Sequence, residues 1–452
     1  MNKKTIAIGF TLFAMFFGAG NLIFPPNLGW VSGDVFWWAI LGFIITGVGL
    51  PFLGMIAGSF SAQGFINEAR QVHPAFAILF MLAIYLTIGP FFAIPRTATV
   101  SYEMGVIPFL SEEAKGWTIS LTENIKIQVP LLIFSSIYFL VTFVLSIKPS
   151  KLVDYVGKVL TPLLLLAIAA LVIRSFFVFD GSFVQSNPEL IPEAPFFTGF
   201  LDGYNTMDTL AAIAFCIVIL NAIRATGQNT QKHIFKDAFA ASLIAGVALA
   251  AVYISLGWVG NHFNISPEEY ARVQSSGQNL GTYILSSAAH MTYGIAGKLL
   301  LSIIVGLACL TTSIGLVVAV SSYFHGLWPG HSYRTYAIIF TLISFVLANQ
   351  GLSQVIKGSI PVLLVVYPIA IALIALVFVD KALKGMPNLC FQLPMYTVTI
   401  VSIVSVVASL LGADWIAFLP LSDISMQWLL PTVAAFVIAL IISSLLKKEK
   451  VQ

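Results

Sequence analysis

The sequence predicts an all-α polytopic membrane protein of about twelve transmembrane helices, ten of them in a five-plus-five inverted repeat and two more at the C-terminal end. Three observations predict it. The 452 residues are 58% hydrophobic and only 9% charged, against roughly 25% charged in soluble domains. Apolar runs close to the about 20 residues that a span requires recur from end to end. Two of these runs, the first and the sixth, are interrupted by glycine and polar residues at matching places, as transporters built from repeats often are.

The runs fall near 5–30, 35–59, 75–106, 129–147, 152–178, 196–222, 236–259, 295–325, 335–350, 359–379, 394–412 and 428–446. The first five occupy 5–178 and the next five 196–379, which are nearly equal lengths. Copies with an odd number of spans must sit in opposite orientations. The predicted units are therefore residues 1–178, the inverted copy 179–379, and two additional helices in 380–452. Runs 75–106 and 295–325 are longer than a bilayer needs and are predicted to tilt or protrude.

The first run contains Phe16-Phe17-Gly18-Ala19-Gly20-Asn21-Leu22-Ile23-Phe24-Pro25-Pro26. Gly18 and Gly20 lower helix propensity, and asparagine is a good capping residue. Proline is tolerated best in the first turn of a helix. The expected structure is a helix, an unwound piece at Gly18 to Gly20, and a half-helix from about Asn21. Freed backbone groups survive in a membrane only when buried in protein or lining a cavity. Lys3, Lys4, the apolar run and the small residues near Gly20 also imitate a secretory signal. Against cleavage, the run continues past any cut site, and Pro25-Pro26 would be left without a role.

Two outer connections are long enough to fold. Segment 107–128 carries Glu112, Glu113 and Glu123; segment 260–294 contains Ser266-Pro267-Glu268-Glu269, a helix start, and then an apolar piece from Tyr283 to Met291. In the sixth run, Gly203-Tyr204-Asn205-Thr206-Met207-Asp208 is the counterpart of the first break. The alternatives are a re-entrant loop or the outer end of a helix, but Asp208 lies deep in apolar sequence for a loop residue. In the eighth run, Cys309-Leu310-Thr311-Thr312-Ser313 offers clustered hydroxyls. These either bond to their own helix and its neighbours or supply oxygens to a hard cation.

Basic residues set the orientation. With the N-terminus inside, fourteen Lys and Arg lie in inner connections, including Lys3, Lys4, Lys148, Lys151, Arg334 and Lys381, against five outside: Lys115, Lys126, Arg272, Lys298 and Lys357. Both termini are expected in the cytoplasm. Ionisable residues inside spans are costly and suspect. Asp208 is an ion ligand, a proton carrier or the partner of a cation; Arg96, after Pro95, either pairs with a carboxylate or faces a vestibule. Asp154 and Lys158 have the spacing of an intrahelical pair, and Glu103 is expected at the outer interface.

No phosphate loop, zinc pair or nucleophile elbow occurs, so the sequence offers no enzyme signature. Cys216, Cys309 and Cys390 form neither a disulfide framework nor metal spacing, and no cofactor or nucleic acid is implied. What remains is transport chemistry. A half-helix beginning near Ala19 presents free N–H groups and a positive dipole end to an anion. Carbonyls of Ala14 to Phe17, at the end of the preceding half-helix, suit a cation. With apolar walls, such a site suits a zwitterion with a hydrophobic side chain together with an alkali ion.

Phe17 through Pro26, Gly89-Pro90 through Pro95-Arg96-Thr97-Ala98-Thr99-Val100-Ser101-Tyr102-Glu103, and Tyr204 through Asp208 together resemble the bacterial branched-chain amino acid carrier family, along essentially the whole chain. The resemblance implies a LeuT-type fold and sodium-coupled uptake of leucine, isoleucine and valine across the bacterial inner membrane, with the bilayer and sodium ion as the other partners. It also implies site roles. Gly18, Ala19, Gly20 and Asn21, with Tyr204, Thr206 and Asp208, would bind substrate, its carboxylate on the amides of Ala19 and Gly20. The carbonyls of Ala14, Phe17 and Cys309 would meet the hydroxyls of Thr312 and Ser313 around sodium. Asn21 would match a ligand of a second sodium site. Phe24 stands where some relatives of that fold carry a gating arginine.

Overall fold

The computed structural model describes residues 3–61, 64–122, 125–147, 161–179, 181, 188–225, 230–413 and 415–449. The first run is broken as expected, into α1 (Lys3–Phe16) and α2 (Ala19–Ser32). The break is shorter and earlier than expected: only Phe17 and Gly18 leave the helix, Gly18 is extended (φ −132°, ψ −164°), and Gly20 is already helical. Asn21 stands at the third position of α2 instead of capping it. Its side-chain Oδ1 reaches back to accept the Gly18 N–H at 2.9 Å. Pro25 and Pro26 lie inside α2, beyond its first turn, where each removes one backbone donor.

That helix is held by a very close neighbour, α13 (Gln231–Asn261). A Cβ on Gly260 would stand 2.0 Å from the Pro26 carbonyl oxygen, and one on Gly29 would stand 1.9 Å from that of Gly257. Only glycine permits this approach. Asn261, fully buried, donates its Nδ2 to the carbonyls of Gly29 (2.9 Å) and Gly33 (2.7 Å), which closes the C-terminal end of α2.

Next come α3 (Phe36–Ile44), a π turn at Ile45–Gly49, α4 (Leu50–Ser59), the short α5 (Phe65–Arg70), α6 (Pro74–Leu86) and α7 (Ala93–Gly105). The long run 75–106 is broken, not merely tilted. A π turn at Thr87–Phe91 separates α6 from α7, with Gly89 at φ −95°, ψ −124°. Pro90 follows, and a proline removes a helical donor and disfavours helix at the residue before it.

Segment 107–128 departs from the all-α expectation. After α8 (Glu112–Lys115), β1 (Thr118–Thr122) pairs antiparallel with β2 (Ile125–Gln128), Ile119 opposite Ile127. The alternation Thr-Ile-Ser-Leu-Thr and Ile-Lys-Ile-Gln has the two-residue period of a strand. Then come α9 (Val129–Ser146) and α10 (Thr161–Val178). The expected Asp154–Lys158 pair lies outside the described residues.

The sixth run is also broken as expected. α11 (Pro195–Asp202) leads into a 3-10 turn at Gly203–Thr206, Met207 takes a left-handed conformation (φ 62°), and α12 (Asp208–Ala225) begins. After α13, Ser266 caps α14 (Pro267–Ser276) by accepting the Glu269 N–H at 3.2 Å, the helix start read from Ser266-Pro267-Glu268-Glu269. α15 (Leu280–Leu327) contains a break at Gly294 (φ 62°), so its first piece is a separate helical segment, as the apolar stretch from Tyr283 suggested. α16 (Tyr333–Ala348), α17 (Leu352–Ala382), α18 (Leu389–Leu411) and α19 (Leu429–Glu449) complete the chain.

Among the described residues, nine helical stretches are long and apolar enough to cross a membrane; two of them, Ala19–Ser59 and Pro74–Phe109, run on through irregular turns. Three shorter apolar helices, Lys4–Phe16, Pro162–Val178 and Tyr333–Ala348, accompany them. Leu79, Leu166, Phe177 and Leu410 are more than half exposed on the outside of the bundle. Asn21, Arg96, Thr97 and Asp208 are buried within it. This inside-out polarity is that of a protein dissolved in lipid.

Candidate functional site

In a continuous helix the Gly18 N–H would donate to the carbonyl of Ala14. Because it donates to Asn21 instead, the Ala14 carbonyl is released. The Phe17 carbonyl meets another helix: Thr312 on α15 places its hydroxyl 3.3 Å away, while also sitting 3.0 Å from the Ala308 carbonyl of its own helix. Thr312 thus bonds both to its own helix and to a neighbouring one.

Asn21 joins the two breaks. Its Nδ2 donates to Asp208 Oδ2 at 2.8 Å and also to the hydroxyl of Tyr253 on α13, and that hydroxyl donates to the same carboxylate oxygen. Asp208 is the first residue of α12, where the dipole favours an anion. Its N–H is held by Thr206 Oγ1 at 3.4 Å, and Thr206 in turn bonds the Gly203 carbonyl at 2.9 Å. The π turn at Ile45–Gly49 supports this second break. Thr46 donates to the Phe200 carbonyl at 2.8 Å, and its own carbonyl accepts from Thr209 at 3.3 Å.

Arg96 on α7 is 2% exposed. Its Nη1 donates to the Asn205 carbonyl within the 3-10 turn, its Nη2 donates to Ser359 Oγ on α17 at 3.0 Å, and its guanidinium lies over the Phe24 ring at 5.2 Å. Nε has no hydrogen-bond partner. Among the described residues no carboxylate pairs with Arg96.

These elements enclose one cavity. Gly18, Ala19, Gly20 and Asn21 line it from the first break, Thr206, Met207 and Asp208 from the second, Arg96 and Thr97 from α7, and Thr312 from α15. Met15, Phe16, Ile88, Ala93, Ala211, Phe215 and Leu316 form its apolar remainder. The remaining expected site residues do not line it. Ala14 lies in the last turn of α1 and Phe17 in the break itself. Tyr204 stacks on Tyr367 at 4.2 Å between ring centroids, which turns it into α17. Cys309 and Ser313 are fully buried; Cys309 neighbours Ser101, and Ser313 faces Tyr138, with no hydrogen bond to its hydroxyl. Asn21 Oδ1 is spent on Gly18.

Sequence reasoning missed Tyr253 and Thr97 as site residues, and expected an apolar wall without naming the residues that form it. A lone tyrosine in an apolar run carries no local signal; only the folding of α13 against α2 brings it to Asn21. Glu103, expected at an interface, is buried at 5% exposure instead. It accepts from Thr282 Oγ1 (2.6 Å) and from the Asn279 N–H (3.0 Å), tying α7 to the start of α15. Those two donors offset its removal from water.

The family described as branched-chain amino acid transport protein matches residues 1–446. The chain belongs to that family. The chain is 47% identical over 454 residues to a putative branched-chain amino acid carrier protein of Staphylococcus saprophyticus, covering 100% of this chain and 98% of the relative. It is 44% identical over 457 residues to one of Staphylococcus aureus, covering 100% and 99%. Among solved structures, MhsT in complex with L-phenylalanine matches with a TM-score of 0.57 at 16% identity, covering 96% of this chain and 98% of that one. A nucleobase-cation-symport-1 family transporter, closed around bromovinylhydantoin, matches with a TM-score of 0.57 at 13% identity, covering 96% and 91%. At those identities the likeness establishes the fold, which is the LeuT type. The family and the fold are those of a multi-pass membrane carrier and not of an enzyme.

Proposed function

We propose that this carrier couples the uptake of leucine, isoleucine and valine to sodium, by alternating access around the two broken helices. It would lie in the bacterial inner membrane with both termini in the cytoplasm. The observation that carries the reading is the contact of the two breaks across one cavity, through Asn21 and Asp208. The apolar wall of Met15, Ile88, Phe215 and Leu316 suits a branched aliphatic side chain. The amides of Ala19 and Gly20, first in α2 and without an intrahelical acceptor, suit a carboxylate. Sodium, a hard cation, is supported by the Phe17 carbonyl beside the Thr312 hydroxyl. The freed Ala14 carbonyl is a further oxygen in the last turn of α1, and Cys309 and Ser313 would complete the set only after a rotation of α15 toward α1.

The test is uptake of labelled leucine into proteoliposomes with sodium and proton gradients imposed separately. Accumulation driven by sodium alone is expected. Accumulation driven by a pH gradient without sodium would transfer the coupling role to the Asp208–Tyr253–Asn21 cluster.

A further inference from the structure

Arg96 and Asp208 are opposite charges buried at 2% and 1% exposure in the wall of one cavity. Yet no ion pair joins them, and none joins either to another described residue. Buried charges are ordinarily paired, because an unpaired one loses its water without recompense. Here each is met by neutral groups alone. Arg96 donates to a carbonyl and a hydroxyl and keeps Nε without a partner. Asp208 accepts on one oxygen from an amide and a phenol.

The two charges also line the same pocket, beside adjacent residues of α2. A Cβ on Gly20 would stand 3.4 Å from Arg96 Nη1, so the guanidinium flanks the donor-rich start of α2. Asp208 meets the side-chain amide of the next residue, Asn21. The pocket therefore holds one group suited to an anion and one suited to a cation, and the net charge of the pair is zero.

We infer that Arg96 and Asp208 are the two poles of an amino-acid recognition site: Arg96 takes the α-carboxylate of the substrate, and Asp208 takes its α-ammonium. A guanidinium suits this role because its planar donors match a carboxylate and its charge is permanent. Its free Nε and the adjacent Nη2 present the donor edge that a carboxylate oxygen pair would engage, once Nη2 releases or shares Ser359 Oγ. Releasing that hydroxyl loosens the tie between α7 and α17. A zwitterion satisfies both charges at once. A simple amine leaves Arg96 unpaired, and a simple carboxylic acid leaves Asp208 unpaired, which a buried site penalises strongly.

The inference rests on the carrier reading above and refines its substrate site. The experiment is competition against labelled leucine binding to purified protein in saturating sodium, using isoamylamine, which lacks the carboxylate, and 4-methylpentanoate, which lacks the ammonium. Wild-type protein should reject each analogue by about 100-fold or more relative to leucine. Arg96→Gln should weaken leucine about 100-fold while leaving isoamylamine unchanged or stronger, and Asp208→Asn should do the converse with 4-methylpentanoate. Arg96→Lys, which keeps the charge, should recover part of the leucine affinity. If leucine and both analogues weaken together in a well-folded Arg96→Gln protein, Arg96 is only a clamp between α7, the second break and α17, and the inference is overturned. Should the neutral variants fail to fold, the wild-type comparison still decides, since an analogue that competes as well as leucine refutes the corresponding pole. Rejection of leucine in favour of another zwitterionic amino acid would overturn the branched-chain reading and leave the two poles intact.

Discussion

The side-chain amide of Asn21 donates to the carboxylate of Asp208 at 2.8 Å, across 187 residues of chain. Asn21 belongs to the first broken helix and Asp208 opens the second half of the other. The same asparagine holds the Gly18 N–H that its own helix cannot satisfy. A single side chain therefore caps one break and fastens it to its counterpart, so neither can rearrange without the other noticing.

Asn21→Ala should be costly in two measurements. It leaves the Gly18 N–H unsatisfied and takes one donor from Asp208, each a loss of about 1–3 kcal/mol for a buried group. A lower melting temperature in detergent is expected, together with leucine affinity weakened at least about tenfold. Asn21→Asp, which sets two carboxylates against each other, should be worse than alanine. Equal affinity in wild type and Asn21→Ala would show that the fastening is incidental.

Thr312→Ala combined with Ser313→Ala should raise the sodium concentration needed for half-maximal uptake more than it weakens leucine binding in saturating sodium. Thr312 alone should account for most of the shift, because its hydroxyl stands at the Phe17 carbonyl while that of Ser313 faces Tyr138. Unchanged sodium activation in vesicles would sink the sodium assignment.

Gly20→Leu should abolish leucine binding. Even its first carbon would stand 3.2 Å from the Asn205 carbonyl and 3.4 Å from Arg96 Nη1, so the rest of the side chain has to enter the cavity. Binding measured by equilibrium dialysis should fall below detection while the protein remains monodisperse. Normal uptake by this variant would overturn the carboxylate site at Ala19 and Gly20.

Gly260→Ala tests the fold and not the site. The added methyl would overlap the Pro26 carbonyl, at 2.0 Å, and overpacking of this kind costs about 1–3 kcal/mol or more. A depressed melting temperature is expected, with any leucine binding that survives retaining its sodium dependence. Asn261→Leu should destabilise by a comparable amount, by stranding the carbonyls of Gly29 and Gly33.

The alternation of long apolar runs with glycine and asparagine determined that this chain spans a membrane many times and that its first and sixth runs break. Those are local properties. Helix propensity, proline chemistry and the penalty on buried polar groups act over a few residues, so Gly18 and Gly203 to Asp208 are readable one at a time. The strand alternation at Thr118 to Gln128 and the Gly89-Pro90 break were written in the same local terms.

Which polar groups meet was decided by tertiary structure alone. Tyr253 reaches Asn21 because Gly29 and Gly260 let α13 press against α2. Arg96 faces a carbonyl and not a carboxylate because α7 passes the second break at Asn205. Ser313 turns to Tyr138 although it adjoins Thr312, since consecutive residues of a helix point in different directions. The sequence by itself determined that Asn21 would lie at a broken helix. That its partner is Asp208 of the opposite repeat followed only from the packing of the two breaks against each other, where each offers the hydrogen bonds that the surrounding lipid cannot.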